Sequence, residues 1–253
     1  MLKKILSSIG IGSAKVDTQL SKTVYTAGET MEGVIVIEGG KTEQQIDEIY
    51  LSLMSTYIRE VDDNKVNETA LLEKYKLVDS LIVSPNEVKR IPFHIPLPFD
   101  VPITKGKTKV WIQTGLDIKM AIDPQDRDYI EVQPHPLVES FLQTVNSLGF
   151  SLREVKCEEA SRALRRKYPF VQEFEFKPTS GLFKGRLDEL EVIFFTSEHQ
   201  VEVILEIDRK ALGLRGFLAE ALERDETLVR FTFNSHDIPA LSQTLVNIIN
   251  KYS

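Results

Sequence analysis

The stretch VKRIPFHIPLPFDVPIT, Val88 to Thr104, carries four prolines inside an alternation that otherwise reads as a β-strand. Ile91, Phe93, Ile95, Leu97 and Phe99 share one parity, while Pro92, His94, Pro96, Pro98, Asp100 and Pro102 share the other. Successive side chains of a strand point to opposite faces, so one face is apolar and the other is not. Backbone N–H groups alternate in direction as well. Prolines of a single parity therefore remove donors along one edge only and leave the opposite edge free to pair. Residues before proline are also pushed toward extended conformations. The stretch predicts a strand at the rim of a sheet.

Working outward, Ala14 to Val132 reads as short period-two segments punctuated by turns. KVDTQL leads to TVYTAGET, with a tight turn at Ala27-Gly28-Glu29, and then to MEGVIVIEGG. IDEIYLSLMSTYIRE alternates over a long run, and VDDNKVNET reads as a polar loop before LLEKYKLVDSLIV. KVWIQTGLDIKMAIDP reads as two further strands, the second passing through Leu116, Ile118, Met120 and Ile122. About seven strands with no internal helix predict an antiparallel β-sandwich. The pattern changes at Pro134-His135-Pro136. LVESFLQTVNSLGF then places Leu137, Phe141, Val145 and Leu148 on one helical face, ended by Gly149. A hairpin around Ser197–Gln200 follows, then a helix over GFLAEALERDE, a strand TLVRFTFN and a closing helix IPALSQTLVNIINKY. The expectation is a mainly β chain: a β-sandwich domain over 1–133 with a short N-terminal helix, then a β-rich domain with several helices over 134–253.

The chain has 253 residues and a net charge of −7, enough to bury substantial cores. Up to Gln133 there are 16 basic against 20 acidic residues, and after it 15 against 18. Neither half is basic, which argues against nucleic acid as a partner. A single cysteine, Cys157, excludes an internal disulfide and fits a cytoplasmic setting. In MLKKILSSIGIG the apolar run is broken by Ser7 and Ser8 and no A-x-A pattern follows, so it does not read as an export signal. Leu2, Ile5, Leu6 and Ile9 fall instead at helical spacing. That stripe is a candidate contact with the protein body, a second subunit or a membrane surface, although membrane anchoring generally needs a larger apolar face or a second signal.

The search for reacting groups is largely negative. Gly40-Lys41-Thr42 and Gly106-Lys107-Thr108 lack the leading glycine of a phosphate loop, since Ile35 and Val101 stand there. His94, His135, His199 and His236 are scattered singly, without metal spacing. No G-x-S-x-G elbow occurs. Asp62-Asp63, Asp126/Asp128 and Glu158-Glu159 are the carboxylate pairs that a hydrolase acting on a wall sugar could use. Arg162, Arg165, Arg166 and Lys167 form a basic cluster able to dock an anionic partner, with Glu158 at helical spacing to neutralise Arg162.

The first half, through VYTAGETMEGVIVI, IPFHIPLPFDVP and VWIQTGLDIKMAIDPQDRDYIEV, resembles an arrestin-type domain. IGIGSAKVDTQL together with PFVQEFEFKPTSGLFKGRLDELEVIFF and GLRGFLAEAL resembles the sporulation-control proteins of spore-forming bacteria, over nearly the whole chain. That resemblance implies a cytoplasmic, arrestin-like, non-enzymatic scaffold of sporulation control without a cofactor. It also implies protein partners of the regulatory or cell-division kind and a homodimer. The contrasting readings are the wall-sugar hydrolase and an adaptor at the membrane surface.

Overall fold

In the computed structural model, residues 14–62, 64–118, 125–208 and 228–252 are described. The stripe Leu2, Ile5, Leu6 and Ile9, the segment holding Met120 and Ile122, and the expected helix GFLAEALERDE lie outside them. The protein is mainly β, as the alternation predicts. The first half contributes nine strands: β1 (Lys15–Leu20), β2 (Val24–Thr26), β3 (Thr30–Glu38), β4 (Gln44–Val61), β5 (Asn64–Val78), β6 (Leu81–Val83), β7 (Val88–Pro96), β8 (Val110–Ile118) and β9 (Gln125–Gln133). The second contributes helix α1 (Pro136–Ser147), β10 (Phe150–Glu159), β11 (Phe170–Pro178), β12 (Glu189–Thr196), β13 (Gln200–Asp208), β14 (Leu228–Asn234) and α2 (Ile238–Tyr252).

Strands β1, β3 and β7 make a small sheet, in that order, and β7 closes it. Phe93, Ile95 and Leu97 are buried while Pro92, His94 and Pro96 face out. The Leu97 N–H donates to Glu29 O at 2.9 Å, so the odd-numbered residues of this run direct their backbone groups toward β3. The even-numbered prolines therefore lack a donor only on the side where no strand pairs. The outward carbonyl of Pro96 accepts from the Tyr75 hydroxyl at 2.5 Å, which covers the edge with a side chain. Pro98 and Pro102 lie beyond the strand.

The larger sheet runs β14-β13-β12-β11-β10-β4-β8-β9-β2, with β5 and β6 also on β4. Two of its pairings are parallel, β2 with β9 and β10 with β4, so the antiparallel expectation holds for the other ladders only. VDDNKVNET is not a loop. β4 and β5 continue through it as two arms of one hairpin, with Asp62 in the left-handed region (φ 49°) at the tip. Lys109 to Ile118 is likewise one strand preceded by a single residue, not parts of two, and buries Val110, Ile112, Leu116 and Ile118.

Two large clusters of buried side chains result. One packs Met31, Ile35 and Phe93 of the small sheet against Leu51, Leu53 and Ile112 of the large one. The other lies between β11–β13 and the two helices, around Phe141, Phe174, Val203 and Leu245. Helix α1 starts where proline is tolerated, at its first residue, with the His135 side chain accepting from Leu137 N at 3.3 Å. It stops at Gly149, whose φ of +94° a side chain would resist. In α2 the fully buried set is Leu241, Leu245 and Ile249; Ile248 packs at the margin.

Restoring donors on the sealed edge tests this account. The double substitution Pro92→Val, Pro96→Val is expected to change the melting temperature by no more than about 4 °C while promoting self-association in light scattering, because an open edge recruits strands. A variant that stays monodisperse at high concentration would contradict the sealing role.

Candidate interaction surface

The basic cluster does not lie on a helix. β10 runs to Glu159 and a loop then joins it to β11, so the i, i+4 pairing of Glu158 with Arg162 does not form. Glu158 instead approaches Lys65 at 3.5 Å and Lys156 at 3.7 Å. Buried Leu164 and Tyr168 anchor the turn, leaving Arg162, Arg165, Arg166 and Lys167 exposed. Arg166 grips both oxygens of Glu202 at 2.8 Å and lies 3.9 Å from the centroid of the Phe195 ring. Lys167 reaches Glu73 of β5 at 2.9 Å. Two of the four cations are thus tied down, and Arg162 and Arg165 remain as the outward pair.

This turn is part of a seam between the halves. The Gln172 side chain donates to Ile103 O and accepts from Ile103 N, both at 2.8 Å. The Tyr168 hydroxyl donates to Asp100 at 3.0 Å; burial and that carboxylate raise its pKa, so the proton stays. Tyr57 and Phe170 stack with ring centroids 5.5 Å apart. Sequence reading missed Gln172, Asp100 and Tyr168, because partners 68 or 69 residues apart leave no local signature.

Beside this seam lies a cleft lined by Phe99, Asp100, His135, Arg166, Tyr168 and Gln172, among others. A second cleft runs between the end of β4, the turn Lys105–Thr108 and Leu152–Cys157 of β10. Each holds one carboxylate among the described residues, Asp100 in the first and Glu154 in the second. Neither therefore presents the facing pair that glycoside hydrolysis uses. Glu158 and Glu159 are drawn to cations, the latter to Arg59 at 3.5 Å. Asp126 and Asp128 do converge, on β9 near Asp17, and burial with these neighbours raises Asp128 to about 6. Asp126 is engaged as acceptor for the Thr18 N–H at 2.7 Å, holding strand β1 in place.

The histidines stay apart: His94 lies 3.2 Å from Glu32 across the strand pair, and His135 caps a helix. No group of three metal-binding side chains occurs among the described residues. Burial raises the Cys157 thiol to about 12, which removes it as a nucleophile at neutral pH.

The electrostatic centre of the second half was not foreseen. On the face of the sheet away from the helices, Glu154, Glu175, Glu191 and Glu206 stand directly opposite one another on four successive strands. Like charges in that relation repel. Cations relieve part of it: Arg153 contacts Glu175, Lys177 lies 2.7 Å from Glu189, and Lys156 lies 3.1 Å from the buried Glu173. The last contact is an ion pair without hydrogen-bond alignment, as both Glu173 oxygens lack a bonded partner. Burial resists the Lys156 charge, but Glu173 and Glu158 outweigh it and raise its pKa. Protonation relieves more of it. Burial foremost, then Glu173 and Glu206, raises Glu191 to about 9, and burial raises Glu173 to about 7.

A carboxyl raised in the folded state stabilises below its unfolded value of 4.5 and loses that contribution as pH climbs through the folded value. Glu191→Gln is therefore expected to raise the melting temperature at pH 8 by ~3 °C and to leave it nearly unchanged at pH 4, in parallel thermal melts. An equal effect at both pH values would refute the protonated ladder.

Comparison with known proteins follows the same line. A family model described as Spo0M, SpoOM protein, matches residues 2–211. The chain is 42% identical over 254 residues to the sporulation-control protein Spo0M of Bacillus subtilis (strain 168), covering 99% of this chain and 98% of that protein. The crystal structure of Spo0M from Bacillus subtilis superposes with a TM-score of 0.89 over 96% of this chain and 100% of that one. A match that takes in both halves, the proline-sealed strand and the acidic sheet alike, shows that this chain belongs to the Spo0M protein family.

Proposed function

We propose that this protein acts in sporulation control as a non-enzymatic scaffold, working in the cytoplasm through contact with regulatory or cell-division proteins. The observation that carries the reading is 42% identity, along 99% of the chain, to a protein named for sporulation control. The seam supports the contact mechanism. Gln172, Tyr168 and Lys167 hold the halves in one body, so surfaces on both sides keep a fixed separation, as a scaffold requires. The clefts add shape and charge, and the carboxyl groups in them stand singly. Among the described residues no helix is long and apolar enough to cross a membrane, so any membrane role would rest on surface attachment. The outward pair Arg162 and Arg165 is the contact candidate on the second half, and a homodimer offers one further arrangement of the same surfaces.

Complementation tests this. In a Bacillus subtilis strain lacking its own Spo0M, this chain is expected to restore wild-type spore counts. The double variant Arg162→Glu, Arg165→Glu is expected to lower them at unchanged protein level and to lose defined partners in crosslinking mass spectrometry. Release of reducing sugar from purified cell wall by the isolated protein would overturn the non-enzymatic reading, and full complementation by the variant with an unchanged partner set would remove the arginine pair.

A further inference from the structure

The register of the first-half sheet assembles a surface that neither the family match nor the basic cluster accounts for. Tyr129 of β9 stands opposite Trp111 of β8, Trp111 opposite Met54 of β4, and Met54 opposite Leu71 of β5. All four lie on the outer face, since their chain neighbours Ile130, Val110, Ile112, Leu53 and Ala70 fill the core. Four large apolar side chains thus form an unbroken row across four strands. Tyr129 and Leu71 are each 53% exposed, whereas Trp111 is only 3% exposed. The Trp111 Nε1–H nevertheless has no acceptor among the described residues. A buried, unbonded donor is costly.

The border of the row is basic. Arg127 lies over the Trp111 ring at 5.0 Å, and Lys74 sits at the other end of the neighbouring row, opposite Ser52. On the opposite side stand Lys109 and, in the turn leading to it, Lys105 and Lys107, all exposed. Arg127 and these three lysines make no ion pair among the described residues, unlike Lys74, which contacts Glu48 at 3.2 Å. Glu131 supplies an acid on that border. In a chain of net charge −7 such a concentration of cations without ion-pair partners among the described residues, beside exposed Tyr129 and Leu71, is a selective feature. Tyr, Trp and Arg together are also the residue types that carry most binding energy at protein interfaces.

We propose that this face docks an acidic segment of a partner protein bearing one large apolar side chain. The apolar group settles against exposed Tyr129, beside the Trp111 ring, and the carboxylates meet Arg127 and the lysine turn. The proposal rests on the protein-contact reading above and gives the partner its chemistry.

Trp111 is the single tryptophan of the chain, so its fluorescence reports on this face directly. The full-length protein is titrated with a synthetic peptide of glutamate and serine around a central phenylalanine. Parallel titrations use the same peptide with lysine for glutamate, a single-stranded oligonucleotide, and phosphatidylglycerol vesicles. The acidic peptide alone is expected to shift the emission, with binding weakened by added salt. Tyr129→Ala and Arg127→Glu, both at exposed positions, are expected to weaken it about tenfold at unchanged melting temperature, while Arg162→Glu leaves it intact. No shift with the acidic peptide, or equal binding of any of the other three probes, overturns the proposal. If the Tyr129 and Arg127 variants crosslink the wild-type partner set in cells and Arg162→Glu, Arg165→Glu does not, this face is wrong and the contact reading stands. Loss of partners in the former variants supports the face.

Discussion

The architecture depends on one strand that is longer than any of its partners. β4 runs for 18 residues, about 60 Å at the usual rise per residue. Every backbone donor and acceptor along a buried strand needs a mate. No single neighbour can serve such a length, so β4 is paired in relay. On one edge β6 takes its start and β5 the remainder from Ile49 to Val61; on the other β8 pairs Ile46 to Ser55 and β10 one residue near the end, where Ile58 meets Glu158. That last contact carries the sheet of the first half into the second. The seam of Gln172, Tyr168 and Lys167 is built around the same place, and it makes one continuous body of two hydrophobic clusters.

The faces of this body differ in how they handle polarity. The first half treats its rim with prolines that remove donors and with Tyr75 covering a carbonyl, and pairs buried hydroxyls such as Thr18 and Thr114 with each other. The second half places glutamates opposite glutamates on a sheet face and leaves Glu173 buried. Such an arrangement persists because protons and basic side chains, Arg153, Lys156 and Lys177 among the described residues, take up part of what Coulomb repulsion would otherwise cost. The proton content of that sheet is consequently part of its structure. The outer face of the first half is the reverse case, where Arg127 and Lys109 stand near exposed Tyr129 without an ion pair among the described residues.

Local pattern was legible wherever burial on one side forced a period. The parity of Phe93, Ile95 and Leu97 against Pro92 and Pro96 disclosed an edge strand, and Leu137, Phe141 and Val145 disclosed α1. Polarity misled where a strand left the core. VDDNKVNET is hydrophilic because the tips of β4 and β5 project into water, yet it pairs as a ladder. The basic cluster was visible as composition, but its state was not: Arg166 and Lys167 find acids 36 and 94 residues away, on strands that only the fold brings near.

The amino-acid order alone settled which apolar positions of the described strands go inside, which strand is closed to neighbours, where the two described helices begin and end, and the family resemblance, because each of these is written in spacings of a few residues. Only the tertiary structure decided that Glu154, Glu175, Glu191 and Glu206 share one line, that Trp111 is buried beside exposed Tyr129, and that β10 continues the sheet of β4. Those relations are set by cross-strand register. Register joins residues by geometry across a hydrogen-bonded ladder, and a one-residue slip would turn every one of these side chains to the other face.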